Sequence, residues 1–383
     1  MIRVAWNLLW LRPGVVGGSE EYATRQLLAL AEHAADDVHV TAFVLAPFMH
    51  AYPELVRTVD CVPVGLDGRN KPRRIATEAT WLVARTRRGF DLVHHVGGRV
   101  PLVAPGRRVL TIHDLQPLEQ PQNFSPVKRW FLTRALPRSA ARAHAIITPS
   151  EHVRARVIDC FSVDPARVHA IAAPVTIPAP DTLPRHVDES AVPTDLRPML
   201  AGTVPFFLYP AITYAHKNHG VLLDAFAIIR RAHPEVRLVL SGGAGAVDRA
   251  VAERVARPDL VGAVVRPGRV ERPILDALLA RAVALTFPSR FEGFGLPVLE
   301  AFAARCPVIA SDAAALREVV GDAGVVVDPD DVGGWATALA GALTDVGFRT
   351  ARADAGVRVA LRYAPMATAA GLVSVYRGVV SGW

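Results

Sequence analysis

One stretch limits the fold more than any other. Ala282-Val283-Ala284-Leu285-Thr286-Phe287 runs into Pro288, then Ser289-Arg290-Phe291-Glu292-Gly293-Phe294-Gly295, then Leu296-Pro297-Val298-Leu299-Glu300-Ala301-Phe302-Ala303. The apolar run reads as a buried strand that ends at the proline. Two glycines flank Phe294, so the backbone there reaches torsions closed to other residues. Pro297 suits the start of a helix, where its missing N–H costs nothing. A buried strand that feeds a helix through a glycine turn is the unit of a parallel sheet. Such a turn offers bare N–H groups and the positive end of a helix dipole to an anion. Two carboxylates nevertheless flank it: Glu292 before the glycines and Glu300, expected in the first helical turn. A ligand with both phosphate and hydroxyl groups accounts for that mixture.

The same unit recurs along the chain. Residues 2–9 read as a strand, and a glycine loop, Gly17-Gly18-Ser19, leads to a helix from Glu20 to about Ala35. Strands follow at Val38–Leu45, Asp91–His95, Arg108–Asp114 and Ala145–Thr148, with a helix over Lys128–Ala143 that Pro137 is expected to interrupt. Seven prolines between Pro174 and Pro205, Pro180 and Pro184 among them, read as an interdomain linker. The rhythm then restarts with Phe206–Tyr209, a helix over Gly220–Ala232, Arg237–Gly243, Leu260–Val265, a helix over Pro273–Ala282, and Cys306–Ser311. These divisions give an N-terminal α/β domain over 1–178, a linker over 179–204, a second α/β domain over 205–365 and a terminal helix over 366–383. In folds of this kind ligands sit at the carboxyl ends of the strands.

Composition excludes several classes. Half of the 383 residues are hydrophobic, but no run is long and apolar enough for a membrane span, and the first residues read as a strand rather than a signal peptide. Cys61, Cys160 and Cys306 lie far apart without metal spacing and are expected as small buried hydrophobes in a reducing, cytoplasmic setting. The net charge of +7 is one-sided, since residues 1–178 hold 22 Lys and Arg against 15 Asp and Glu. Arg69, Lys71, Arg73, Arg74, Arg85, Arg87 and Arg88 make up much of the excess. This leaves room for an anionic acceptor or for peripheral contact at the inner membrane face. Nucleic acid is disfavoured, because Trp81 is the single aromatic among these arginines.

The string PSRFEGFGLPVLEAFA, with Glu292 and Glu300 eight residues apart, resembles the signature of retaining glycosyltransferases of family 4. The resemblance implies a GT-B fold, two Rossmann-like doubly wound domains facing across a cleft, with the nucleotide-sugar donor held mainly by the second. It implies a hexosyl transfer to a hydroxyl of a glycan, lipid-linked or small-molecule acceptor. It gives Glu300 to the ribose hydroxyls, Glu292 to the transferred sugar, and the backbone of Gly293, Phe294, Gly295 and Leu296 to sugar and diphosphate. His113, at a strand end, corresponds to a histidine beside the reaction centre. Gly17 and Gly18 correspond to a loop near the diphosphate, and Arg269 and Val270 to a loop beside the base. Lys217 matches a diphosphate-binding lysine, but the partner arginine of the family falls on Ile212. Arg266, Arg269, Arg290 and His216 are the candidates to replace it. The Pro210-Ala211-Ile212-Thr213…His216-Lys217-Asn218-His219 string is similar to mannosyl- and rhamnosyltransferase-like members, which leans toward a GDP-linked mannose-like donor and leaves UDP and dTDP open. No cofactor and no metal are expected, because Asp328-Pro329-Asp330 reads as a turn. The competing readings are a nucleotide-sugar epimerase or other enzyme on the same fold, or a catalytically silent partner subunit.

Overall fold

The computed structural model describes the chain except Val16, residues 179–187, Glu189 and Trp383. Contacts divide it into two compact units, Met1–Pro174 with Tyr363–Trp383, and Val175–Arg362.

The first unit is a seven-stranded parallel sheet. Its strands are β1 (Ile2–Asn7), β2 (Val38–Leu45), β3 (Asp60–Val64), β4 (Leu92–His95), β5 (Arg107–Thr111), β6 (Ala145–Thr148) and β7 (Val168–Ala170), in the order β3-β2-β1-β4-β5-β6-β7. Strands β4 and β6 are buried along their whole length, as a sheet covered on both faces requires. The order turns back between β1 and β4, which creates a crevice at their carboxyl ends. Register sets Asn7 of β1 beside His95 of β4 and Trp6 beside His94.

Sequence patterning shows neither β3 nor β7. Both are edge strands, the first half-exposed with Pro63 inside it, so neither carries a continuous apolar run. Pro137 does not interrupt its helix, which runs unbroken over Pro126–Arg142. Pro137 is itself partly exposed, and a proline inside a helix leaves one carbonyl of the preceding turn without its N–H partner. The cysteines also differ from expectation. Cys306 is buried, but Cys61 is half-buried and Cys160 exposed, because Cys160 falls on the outer face of its helix.

The last helix, Pro365–Ser381, buries Leu372, Val373, Val375, Tyr376 and Val379 in the core of the first unit. Tyr376 anchors it. The Trp6 indole N–H donates to the Tyr376 hydroxyl at 3.1 Å, and that hydroxyl is 2.8 Å from His94 Nδ1. His94 Nε2 meets Thr111 Oγ1 at 2.8 Å. The indole can only donate, so the phenol proton goes to Nδ1 and the His94 proton to Thr111. Burial holds the His94 pKa well below its ordinary value, so the ring is neutral. Tyr376→Phe strands two buried groups, and we expect a loss of roughly 1–3 kcal/mol in denaturant unfolding with the m-value unchanged.

The second unit repeats the plan with β8 (Phe206–Tyr209), β9 (Arg237–Ser241), β10 (Val264–Gly268), β11 (Ala284–Phe287), β12 (Val308–Ser311) and β13 (Val325–Val327), all parallel, in the order β10-β9-β8-β11-β12-β13. Strand β10 starts later than its apolar run suggests, because Leu260 is buried in the preceding turn. Residues 179–187 and Glu189 of the proline-rich stretch expected as a linker, Pro180 and Pro184 among them, lie outside the described residues. Inside the same expected linker, Val192, Leu196 and Met199 are buried in this unit. Among the described residues no helix is long and apolar enough to cross a membrane.

Candidate functional site

In the second unit the candidate residues gather at the carboxyl ends of β8 and β11. Tyr209 ends β8, and its hydroxyl donates to the Lys217 carbonyl at 2.6 Å. Having used its proton there, it accepts from Ser289 Oγ at 3.2 Å. Ser311, at the end of β12, donates to the Ser289 carbonyl. Three strand ends thus pin two loops against each other. The result is a pair: Lys217 Nζ lies 2.5 Å from Glu292 Oε1, with the side chains 18% and 14% exposed.

The glycine turn opens a helix over Leu296–Ala303. Gly295 has φ of 129°, and a Cβ built there would stand 2.8 Å from Leu316 Cδ2, so both backbone and space demand glycine. The first N–H groups of that helix have no partner in its own ladder. Glu300 is not in the first turn as expected but one turn further in, since Leu296 is the first helical residue. A dipole explanation for its carboxylate therefore weakens. It is buried, at 7% exposure, and ion-paired to Arg272, which also holds Asp276 at 2.7 Å.

A cavity of about 210 Å³ opens at the carboxyl ends of β8, β9 and β10, lined by Ala211, Thr213, Gly242, Asp248, Arg266 and Gly268 among others. Gly242 and Gly245 let the loops close up, because added Cβ atoms would stand 2.1 Å from the Ala211 oxygen and 2.6 Å from the Thr213 oxygen. Thr213 Oγ1 accepts from the Gly245 N–H at 2.7 Å and donates to Asp248 Oδ1 at 3.0 Å. Asp248 in turn pairs with Arg266. Arg269 and Val270 directly follow the cavity-lining Gly268.

The candidates for the cation missing at Ile212 are therefore mostly committed. Arg266 holds Asp248, and Arg290 holds Asp330. His216 is neutral, its pKa pushed down to about 4 by burial and then by Lys217. The Asp328–Asp330 segment is a turn: the Asp330 N–H bonds Asp328 Oδ1 at 2.8 Å, and Asp331 caps the next helix through the Gly334 N–H at 2.9 Å. Among the described residues no three His, Cys, Asp or Glu side chains cluster as metal ligands.

The first unit gathers a second set. His113 follows β5, and its Nε2–H donates to the Val96 carbonyl at 2.8 Å. Its ring meets Tyr22 edge-on at 5.0 Å and Trp10 at 5.7 Å. Burial pushes its pKa down to about 4, so it is a neutral imidazole with Nδ1 unprotonated. Tyr22 belongs to the helix Gly18–His33, whose N-cap, Gly17, has φ of 81°. Added Cβ atoms at Gly17 and Gly18 meet nothing within 4 Å, so this backbone is open to an approaching group. Asn7 Nδ2 reaches His95 Nδ1 at 3.3 Å, and burial followed by Arg99 lowers the His95 pKa to about 3. Sequence reading named Arg266 but missed its link through Asp248 to Thr213, and it missed Arg272, Asn7, Trp10 and Tyr22. Asn7 and Trp10 had one available signal, their place at and just after the end of the first strand.

Two family descriptions match the chain: "Glycosyltransferase Family 4" over residues 16–177 and "Glycosyl transferases group 1" over residues 205–345. O-antigen chain mannosyltransferase B of Escherichia coli is 30% identical over 67% of this chain and 66% of that protein, so the chain spans just under two thirds of that relative. O-antigen chain mannosyltransferase RfbU of Salmonella typhimurium is 24% identical over 84% of this chain and 86% of its own. The crystal structure of Anabaena HepE in complex with UDP and glucose has the same fold, with a TM-score of 0.74 at 17% identity, covering 99% of this chain and 100% of that one.

Proposed function

The chain belongs to glycosyltransferase family 4 and has a GT-B fold, and from that premise we propose that it transfers a hexose-type sugar from a nucleotide-diphosphate donor to an acceptor hydroxyl. The observation that carries this is the Lys217–Glu292 pair beside the glycine turn, on the same sheet edge as the 210 Å³ cavity. The cavity takes the nucleoside, Glu300 takes the ribose hydroxyls, and the turn N–H groups and Lys217 take the diphosphate. Gly17 and Gly18 are assigned to the diphosphate, and the loop at Arg269 and Val270 to the base.

The proposed transfer retains configuration. The bond from the anomeric carbon to the diphosphate oxygen breaks, the acceptor oxygen bonds that carbon on the same face, and its proton leaves on the diphosphate. Glu292 holds the transferred sugar, and His113 accepts from a hydroxyl beside the reacting carbon. The relatives act in O-antigen chains by name, which supports a mannose-like sugar and a glycan or lipid-linked acceptor in polysaccharide synthesis. Peripheral membrane contact has one support of its own: the helix Pro126–Arg142 exposes Val127 at 79% and Trp130 at 59% among Lys128, Arg129, Arg134 and Arg138.

GDP-, UDP- and dTDP-linked sugars, tested for slow hydrolysis and for transfer, check the reading. The expected result is one preferred donor, undiminished in excess chelator, with the released anomer retained by NMR. An isomerised donor makes the protein an epimerase. No turnover of any donor makes it a silent subunit, a reading that Ile212 favours. Glu300→Ala is expected to raise the donor KM about tenfold or more with a smaller change in kcat, because it removes charge-assisted hydrogen bonds to a non-reacting part.

A further inference from the structure

The first unit holds a cavity of about 400 Å³ ringed by Arg108, Arg142, His144 and Arg167, with Val379 and Gly382 of the last helix closing one side. This volume falls in the range of roughly 300–1,000 Å³ common for small-molecule sites. It lies at the amino end of β5, whereas His113 follows the carboxyl end. Five residues of strand put them roughly 16 Å apart, so the cavity is no part of the transfer machinery described above.

Its arginines are held in place by backbone carbonyls. Arg108 donates to the Arg142 carbonyl at 2.9 Å and the Ala104 carbonyl at 2.7 Å. Arg142 donates to the Leu102 carbonyl at 2.5 Å, and Arg167 to the Ala140 carbonyl at 3.1 Å and to that of Ala143. Among the described residues no carboxylate pairs with any of the three. Carbonyls at the ends of the helices Pro126–Arg142 and Pro365–Ser381 explain part of this charge, since a helix C-terminus carries roughly half a negative charge. Among the described residues, two such ends against three guanidiniums leave an excess of about two positive charges. The surroundings agree: burial and then Arg142 lower the Arg108 pKa, while burial, Arg108, Arg167 and Arg107 lower that of His144. Neither group has an acid among the charges acting on it. Arginines locked into place, with N–H groups left over and uncompensated charge, are suited to planar or tetrahedral oxyanions.

We infer that this cavity is a second anion site, taking a phosphate-class group of about two negative charges. The inference is independent of the donor reading. Calorimetric titration of the full chain with inorganic pyrophosphate at low ionic strength is expected to show binding that survives Lys217→Ala and falls about tenfold in Arg108→Gln/Arg142→Gln. A second arm uses phosphatidylcholine vesicles with and without phosphatidylglycerol. Pyrophosphate binding lost in the double variant supports the site with a soluble phosphate ester as its ligand. Vesicle binding alone, dependent on phosphatidylglycerol and lost in the same variant, supports it with a lipid headgroup. Should the variant not fold, phenylglyoxal modification of the unsubstituted chain gives the answer by mass spectrometry, with pyrophosphate or anionic vesicles protecting Arg142 and Arg167. No protection by either probe overturns the site, as does pyrophosphate binding that vanishes wholly with Lys217→Ala.

Discussion

Lys217→Ala is expected to lower kcat by about two to three orders of magnitude, with a smaller rise in the donor KM. A departing nucleoside diphosphate gains negative charge as its bond to the sugar breaks. The family's second cation falls on Ile212, and the nearby Arg266, Arg272 and Arg290 are each tied to a carboxylate. His216 is neutral. Lys217 is paired as well, with Glu292 at 2.5 Å, but that carboxylate adjoins the glycine turn where the diphosphate is proposed to bind. That contact holds the ammonium group in position at the end of β8 without ligand. It also makes the single substitution costly for stability, because it leaves Glu292 buried and unpaired. Lys217→Met/Glu292→Gln isolates the stability effect, since no charge is left unpaired. Thermal stability should return toward that of the starting protein while turnover stays low. If Lys217→Ala keeps kcat within about threefold of the starting value with a verified donor, the diphosphate role assigned here is wrong.

The parts of this protein that the sequence reveals are those written in local chemistry. The strand, glycine turn and helix from Ala282 to Ala303 can be read from adjacent residues, and so can the alternation that yields two parallel sheets. Long-range pairs cannot. Nothing near Glu300 announces Arg272, which comes from a helix 28 residues earlier, and that pair changes Glu300 from an open acceptor to a held one. Asn7 and His95 meet because β1 and β4 are neighbours in the sheet while 88 residues apart in the chain. Tyr376 shows the same limit. An apolar terminal helix is legible, but its triple link through Trp6 and His94 to Thr111 depends on three separate strands. Edge strands fail for a different reason. With β3 half-exposed and β7 only three residues long, neither carries the apolar pattern that marks a strand, and only their pairing defines them.

His113→Ala is expected to lower kcat about a hundredfold and to leave donor affinity nearly unchanged, as befits a group proposed to meet the substrate near the reacting carbon. The geometry defines what this imidazole can do. Its Nε2–H is committed to the Val96 carbonyl, and Tyr22 and Trp10 fix the ring from two sides. Only the lone pair of Nδ1 remains for a ligand, so His113 acts as a hydrogen-bond acceptor and not as an acid. Burial holds its pKa near 4, against an ordinary value of about 6.5. The activity profile should accordingly show no limb from His113 between about pH 5.5 and 8. Stability carries the complementary signature. Protons bind the unfolded chain first, so the contribution of the neutral ring is complete above the ordinary value and declines as pH falls from about 6.5 toward 4. His113→Ala removes that term, and its melting temperature should therefore fall less steeply with acid than that of the starting protein. A general-acid role predicts the opposite on both counts: an acidic group titrating within the working range, and turnover partly restored to His113→Ala by added imidazole only at low pH. Finding that pattern would transfer the proton to His113 and remove it from the leaving diphosphate.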